Sequence, residues 1–232
     1  MVYIEKETTV MRLERVIIKI VVAAVLSVFP ASTRAETIDI DPVIQQASVW
    51  CWAATAEMVL KHFGFPSVNP VGNYQCGVVG SLGGVCNINC AACVGRGGPT
   101  TNLVPILNNY ANIADPAQDF TPRHRGRLTK SQIITSIDDD SPVIAGISPS
   151  YQGVDFPDGL GMSEHVVVIV GYEDQEDGDL QLIVNDPFPY RYTGQPDPYL
   201  RNGAELIVDG QYRISYTSFV NSLRYRNSVV FN

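Results

Sequence analysis

An α+β fold, helical in its N-terminal half and built on an antiparallel sheet in its C-terminal half, is what this sequence predicts. Three observations lead to it. In the first half, apolar residues recur at helical spacing: Trp52, Ala53, Ala56, Val59, Leu60 and Phe63, then Leu103, Ile106, Leu107 and Tyr110. In the second half, short runs rich in β-branched and aromatic residues follow one another from Pro142 to Phe231. Two of those runs, 165–172 and 180–185, are separated only by an acidic loop containing Gly178, the pattern of an antiparallel hairpin.

Residues 1–35 read as a leader and not as fold. Arg12, Arg15 and Lys19 precede the apolar run from Ile20 to Phe29. Pro30 and the small, polar stretch ending at Ala35 follow. A positive segment, an apolar core of this length and a small-residue cleavage site make a secretory signal peptide, with cleavage after Ala35. An uncleaved membrane anchor is the competing reading, but the run is short for a span. The remaining residues, 36–232, form one domain, with a helical lobe over about 36–140 and a β lobe over about 141–232.

Within that domain, 36–50 is an extended entry segment, because Pro42 opposes helix. A helix runs from Cys51 to about Phe63 with one apolar face, Ser48 as a possible cap and Gly64 as its stop. The stretch 66–100 is loop-rich, with many glycines and four clustered cysteines. A second helix spans about 101–113, with Pro105 in its first turn. A polar loop covers 114–128, and the basic cluster Arg123, Arg125, Arg127 and Lys130 around His124 reads as a solvated loop. Thr129 and Gln132 have capping-box spacing and open a helix to about Ile137. Strands are expected at 142–148, 165–172, 180–185, 205–208, 211–216 and 228–231.

Composition excludes several classes of function. The net charge is −8, and removal of the leader lowers it to about −10. A protein this acidic is a poor partner for nucleic acid or anionic membrane. No second apolar run of membrane length follows the leader. Nucleic acid and membrane are therefore not expected as partners of the mature chain.

Five cysteines are present, an odd number for an exported chain. Cys76, Cys86, Cys90 and Cys93 cluster, and export favours their pairing as two disulfides. A four-thiolate zinc site is the alternative, since Cys90 and Cys93 have ligand-like spacing. Cys51 stands apart at the start of a helix. There the helix dipole and unpaired N–H groups favour the thiolate and can hold an oxyanion. A buried structural cysteine between core tryptophans is the competing reading.

A thiol nucleophile needs a base, and His62, His124 and His165 are the only histidines. His165 opens the apolar strand His165-Val-Val-Val-Ile-Val-Gly-Tyr172. Asp186, at the end of the next strand and before Pro187, could accept from that imidazole and fix its tautomer.

Taken together, Gln45-x5-Cys51-Trp52-Ala53-Ala54, the His165 strand and Asn185-Asp186-Pro187 resemble the papain-like cysteine protease superfamily. Two branches are most similar: the peptidase domains of bacteriocin-exporting transporters, and the plant-pathogen effector proteases. The resemblance covers about 37–231 and implies a papain-like α+β fold with the nucleophile at a helix N-terminus. It implies Cys51 as nucleophile, His165 as base and acid, Asp186 as orienting residue and Gln45 as oxyanion donor. Gln46 is the fallback for Gln45. Papain has asparagine in the orienting position, so Asn185 competes with Asp186. The separation of 114 residues between Cys51 and His165 is shorter than papain's.

The resemblance implies a secreted or periplasmic cysteine endopeptidase, a thiol protease and hydrolase acting as a monomer on a protein or peptide substrate, with no cofactor or metal in catalysis. Two rivals keep the same scaffold: another thiol hydrolase or transferase such as a cell-wall peptide amidase, and a catalytically inactive binding protein. The glycine-rich stretch 150–162, just before His165, is a candidate cleft wall or flap.

Overall fold

The computed structural model describes residues 34–96, 100–149, 165–175 and 178–231. The expected leader up to Thr33 and the stretch 150–162 lie outside the described residues. Residues from Arg34 onward form one compact unit.

Strand β1, Ala35–Thr37, opens the unit and pairs antiparallel with the later strand carrying His165. Helix α1, Cys51–His62, follows. Its end is chemically explicit. Gly64 has φ +77°, its N–H donates to Lys61, and the Phe65 N–H donates to Leu60. That double bond across a left-handed glycine is a Schellman stop. The start differs from expectation. Trp50, not Ser48, is the capping residue, and no side chain caps it.

The sequence pattern predicts one apolar face on α1, yet every residue from Cys51 to Leu60 is buried. The reason is that α1 has packing on two sides. The sheet lies on one, and a cysteine-rich insert lies on the other. That insert is not plain loop. It contains α2 (Tyr74–Gly80), α3 (Val85–Ile88) and a 3-10 turn at Cys90–Cys93. Disulfides Cys76–Cys90 and Cys86–Cys93 tie these short pieces together. Segments this short bury little apolar surface of their own, so cross-links hold what a core cannot. Of the two readings of the four cysteines, pairing is the one observed.

Helix α4, Leu103–Ala114, buries Leu103, Leu107, Tyr110 and Ala111, near its expected face. Arg123 and Arg125 of the basic cluster, expected in a loop, lie in strand β2, Arg123–Gly126, whose four residues are all exposed. An exposed strand has no alternating pattern to read. It exists because β8 offers it a ladder. Helix α5, Lys130–Asp138, starts with both bonds of the Thr129–Gln132 capping box in place.

Strands β3 (Val143–Ile147), β4 (His165–Asp174) and β5 (Leu180–Asn185) form the buried centre of the sheet. Short helices α6 (Tyr190–Thr193) and α7 (Pro198–Arg201) then lead to β6 (Glu205–Val208) and β7 (Gln211–Ser215). Helix α8 (Tyr216–Asn221) and β8 (Asn227–Val230) close the chain. The order across the sheet is β2-β8-β3-β4-β5-β7-β6, antiparallel throughout, with β1 also on β4. Gly171 in β4 has a packing reason. A Cβ there would lie 2.7 Å from Thr37 Oγ1 and 2.8 Å from Glu36 O, so only glycine admits β1 this closely. Among the described residues, no helix is long and apolar enough to cross a membrane.

Candidate active site

Three elements converge on one point. Helix α1 brings Cys51 as its first residue. Strand β4 brings His165 as its first residue, and Asp186 directly follows β5. The β4–β5 hairpin pairs Val168 with Asn185, so its register sets Asp186 beside the start of β4. A hydrogen bond across the two layers links helix to strand: Thr55 Oγ1, one turn after Cys51, donates to the carbonyl of Val166 at 3.1 Å.

His165 Nε2 and Asp186 Oδ1 are 2.7 Å apart, and both side chains are completely enclosed. The same Oδ1 accepts the Phe188 N–H at 2.8 Å. Cys51 also lies near enough to act on the ring through charge and hydrogen bonding. It is the free thiol and is itself only 2% exposed. Burial alone would lower the His165 pKa. The charge and hydrogen bond of Asp186, followed by those of Cys51, outweigh it and raise the pKa to about 10. The ring therefore holds its proton more tightly than a free imidazole does.

The surroundings keep the carboxylate dry. Phe188 presents its edge to His165, with ring centroids 6.3 Å apart at 89°. Tyr190 and Tyr199 are buried nearby. Their pKa values are raised well above the ordinary phenol value, first by burial and then by the Asp186 charge. Below Asp186, a support absent from the sequence reading appears. Its N–H donates to Gly210 O at 2.7 Å. Gly210, with φ +83°, sits in the two-residue Asp209-Gly210 turn between β6 and β7. An Asp-Gly pair between two strand-like runs is a hairpin signal that could have revealed it.

Of the two candidates at the end of β5, Asp186 bonds the imidazole. Asn185 instead donates to Ile40 O at 2.7 Å and accepts from Gln211 at 2.8 Å, which holds the entry segment on the sheet. The other histidines lie elsewhere. His62 bonds to Asp140 O, and His124 sits on exposed β2.

Gln45 is buried just before α1, and its Nε2 donates to Ala47 O at 2.9 Å and Ser48 O at 2.8 Å. Both amide hydrogens thus brace the loop that delivers Cys51. Gln46 turns outward, accepting from Asn73 and donating its backbone N–H to Gln75. Gln75 is fully buried and also donates to Ile44 O and to the Glu57 carboxylate of α1. Two indoles flank Cys51 and reach into the insert. Trp50 Nε1 donates to Cys93 O at 3.2 Å, and Trp52 Nε1 donates to Arg96 O at 3.0 Å. Among the described residues, no group of three or more histidine, cysteine or acidic side chains could hold a metal ion.

A buried Cys–His–Asp constellation with the thiol at a helix start, on a helical layer packed against an antiparallel sheet, defines the papain-like cysteine peptidases as a class. Residues 37–218 match the Peptidase_C39 like family, and the chain belongs to it: it is a cysteine-type peptidase. A putative C39-like peptidase from Bacillus anthracis, 12% identical, covers 86% of this chain and 98% of its own, with a TM-score of 0.51. At that identity the likeness is one of fold. A double glycine motif protease from an AMS/PCAT transporter, solved with the leader peptide, is 14% identical over 84% of this chain and 93% of its own, TM-score 0.44. A recombinant stem bromelain precursor is 16% identical over 84% and 68%, TM-score 0.42. The search of curated proteins returned no match.

Proposed function

We propose that the protein is an exported endopeptidase in which Cys51, His165 and Asp186 form the catalytic triad and Gln45 contributes to the oxyanion site. The observation that carries this reading is the enclosed His165–Asp186 pair, with Cys51 near enough to act on the ring. Export is supported by the leader pattern and by the two disulfides, which belong to an oxidising compartment.

The chemistry follows from the placement. The Cys51 thiolate attacks a peptide carbonyl and a C–S bond forms. Charge moves to the carbonyl oxygen, where the first N–H groups of α1 have no intrahelical acceptor and can receive it. Gln45 joins them when one amide hydrogen turns from Ala47 or Ser48 toward the substrate. His165 gives its proton to the leaving amine as the C–N bond breaks. Water, deprotonated by the now neutral ring, then hydrolyses the thioester. Asp186 holds the ring in register and stabilises its charged form throughout.

The test is cleavage of a degenerate peptide pool by purified protein lacking residues 1–35, compared with Cys51→Ala and His165→Ala. Both variants are expected to fold and to lose cleavage entirely. Retained cleavage by Cys51→Ala would refute the triad. Inert Cys51 toward a thiol-directed probe in folded wild-type protein would instead favour a non-catalytic binding protein.

A further inference from the structure

Gln75 lies at the start of α2, in the cysteine-rich insert, yet its side chain bonds to the backbone on both sides of Gln45. We infer that Gln75 is a positioning residue for the oxyanion site, its buried amide holding the Gln45 loop in a fixed place against α1. The inference rests on the reading of Gln45 as an oxyanion donor given above.

The bonds around Gln45 carry it. Gln75 Oε1 accepts the Gln46 N–H at 2.8 Å, and Gln75 Nε2 donates to Ile44 O at 3.0 Å. A side-chain amide offers the same kinds of donor and acceptor as a peptide group, so this one side chain acts on the segment as a neighbouring strand would. No strand does so, because residues 38–50 belong to neither helix nor sheet. Between the two bonds, the Gln45 N–H donates to Pro187 O at 2.9 Å. Successive backbone groups at 44, 45 and 46 are therefore tied, one to the turn after Asp186 and two to Gln75.

The same amide is anchored to the helix that carries Cys51. Its Nε2 also donates to Glu57 Oε2 at 3.1 Å, and the other oxygen of Glu57 pairs with Lys61. Glu57 is a buried residue of α1. Gln75 thus sets the Gln45 loop relative to the helix whose first N–H groups have no intrahelical acceptor. An oxyanion donor works by standing where charge develops, so a shift of its loop weakens it without touching thiol or base. Gln45 must also turn one hydrogen from Ala47 O or Ser48 O toward substrate, which requires a backbone that stays in place. Gln75 is fully buried, so water does not take over its bonds.

The experiment compares Gln75→Met with wild type, using two probes of the free thiol Cys51. A peptide aldehyde, built on the best-cleaved sequence of the degenerate pool, adds to the sulfur; a C–S bond forms and the carbonyl oxygen enters the oxyanion site. Iodoacetamide alkylates the sulfur with loss of iodide and makes no oxyanion. Gln75→Met is expected to weaken aldehyde inhibition and to lower kcat, each by about ten- to a hundredfold, with KM and the alkylation rate within about twofold of wild type. In a Gln45→Ala background it is expected to add little. Gln75→Asn keeps an amide too short to reach both sides of Gln45, and it is expected to move the same readouts in the same direction. Equal losses with both probes, an undiminished effect in the Gln45→Ala background, wild-type aldehyde affinity, or failure of both variants to fold overturns the role of Gln75 and leaves the triad standing. Unchanged kcat in Gln45→Ala removes the donor reading and this inference with it. Cleavage that survives in Cys51→Ala, or no wild-type cleavage at all, refutes the triad reading beneath both.

Discussion

Thr55 donates its hydroxyl to the backbone carbonyl of Val166 across the interface between helix α1 and strand β4. One residue is a helical turn past Cys51, and the other is next to His165. The bond therefore fixes how far Cys51 and His165 lie apart along two elements that share no chain connection nearby. Thr55 is fully buried, so water does not replace the bond if it is lost.

Replacing Thr55 by valine keeps the shape and removes the donor. The Val166 carbonyl then loses a buried partner, at about 1–3 kcal/mol. The melting temperature should fall by several degrees, at roughly 2–4 °C per kcal/mol for a chain of this size. Peptidase kcat should fall several-fold with KM little changed, and Thr55→Ser should recover most of it. A valine variant with wild-type kcat would show that the bond stabilises the fold without positioning the site.

Asp186→Asn retains a side chain of the same size and removes the charge. The charge of Asp186 is the largest favourable influence on His165, and without it burial pulls the imidazole pKa down from about 10. The alkaline limb of the kcat/KM profile should move to lower pH by about one to three units. The maximum rate should drop by about two to four orders of magnitude as the ring loses its fixed tautomer. An unshifted limb would indicate that another group titrates there.

The same ion pair makes stability depend on pH. His165 has a folded-state pKa raised above its unfolded value near 6.5, so the native state holds the proton more tightly. Its contribution is complete below about pH 6.5 and is lost as pH rises through about 10. Urea midpoints measured from pH 6 to pH 10 should fall steadily, and His165→Gln should flatten the decline. A wild-type midpoint that rises over this range would contradict the assignment.

The two disulfides should differ in their effect on activity. Cys93, bonded to Cys86, carries the carbonyl that receives the Trp50 indole, one residue before Cys51. Cys76–Cys90 joins α2 to the start of the 3-10 turn and has no such bond from the segment before Cys51 among the described residues. Each loop is short, so each bridge stabilises by roughly 2–3 kcal/mol. The double variant Cys86→Ser/Cys93→Ser should lose more kcat/KM than Cys76→Ser/Cys90→Ser at a temperature where both stay folded. Equal losses would mean that the insert acts on the site only through overall stability.

Local chemistry made much of the scaffold legible. The Gly64 stop, the Thr129–Gln132 box and the β5 and β6 boundaries depend on a few neighbouring residues, and all appear where their signals stand. Exposed β2 was not legible, because its partner β8 lies a hundred residues away. The short helices of the insert were not either. They are too brief for periodicity to show, and covalent bonds far from their own turns hold them.

The sequence by itself determined the α+β class, the family-like motif around Cys51, His165 and Asp186, and the helix start that carries the thiol. These are properties of neighbours within a turn or a strand. Only the tertiary structure decided that Asp186 and not Asn185 meets the imidazole. It also showed that Gln45 spends both amide hydrogens on its own loop, and that Thr55 locks helix to strand. The physical reason is distance along the chain. Adjacent residues at a strand end point to opposite faces, and which face meets the histidine is set by the register of a long-range pairing.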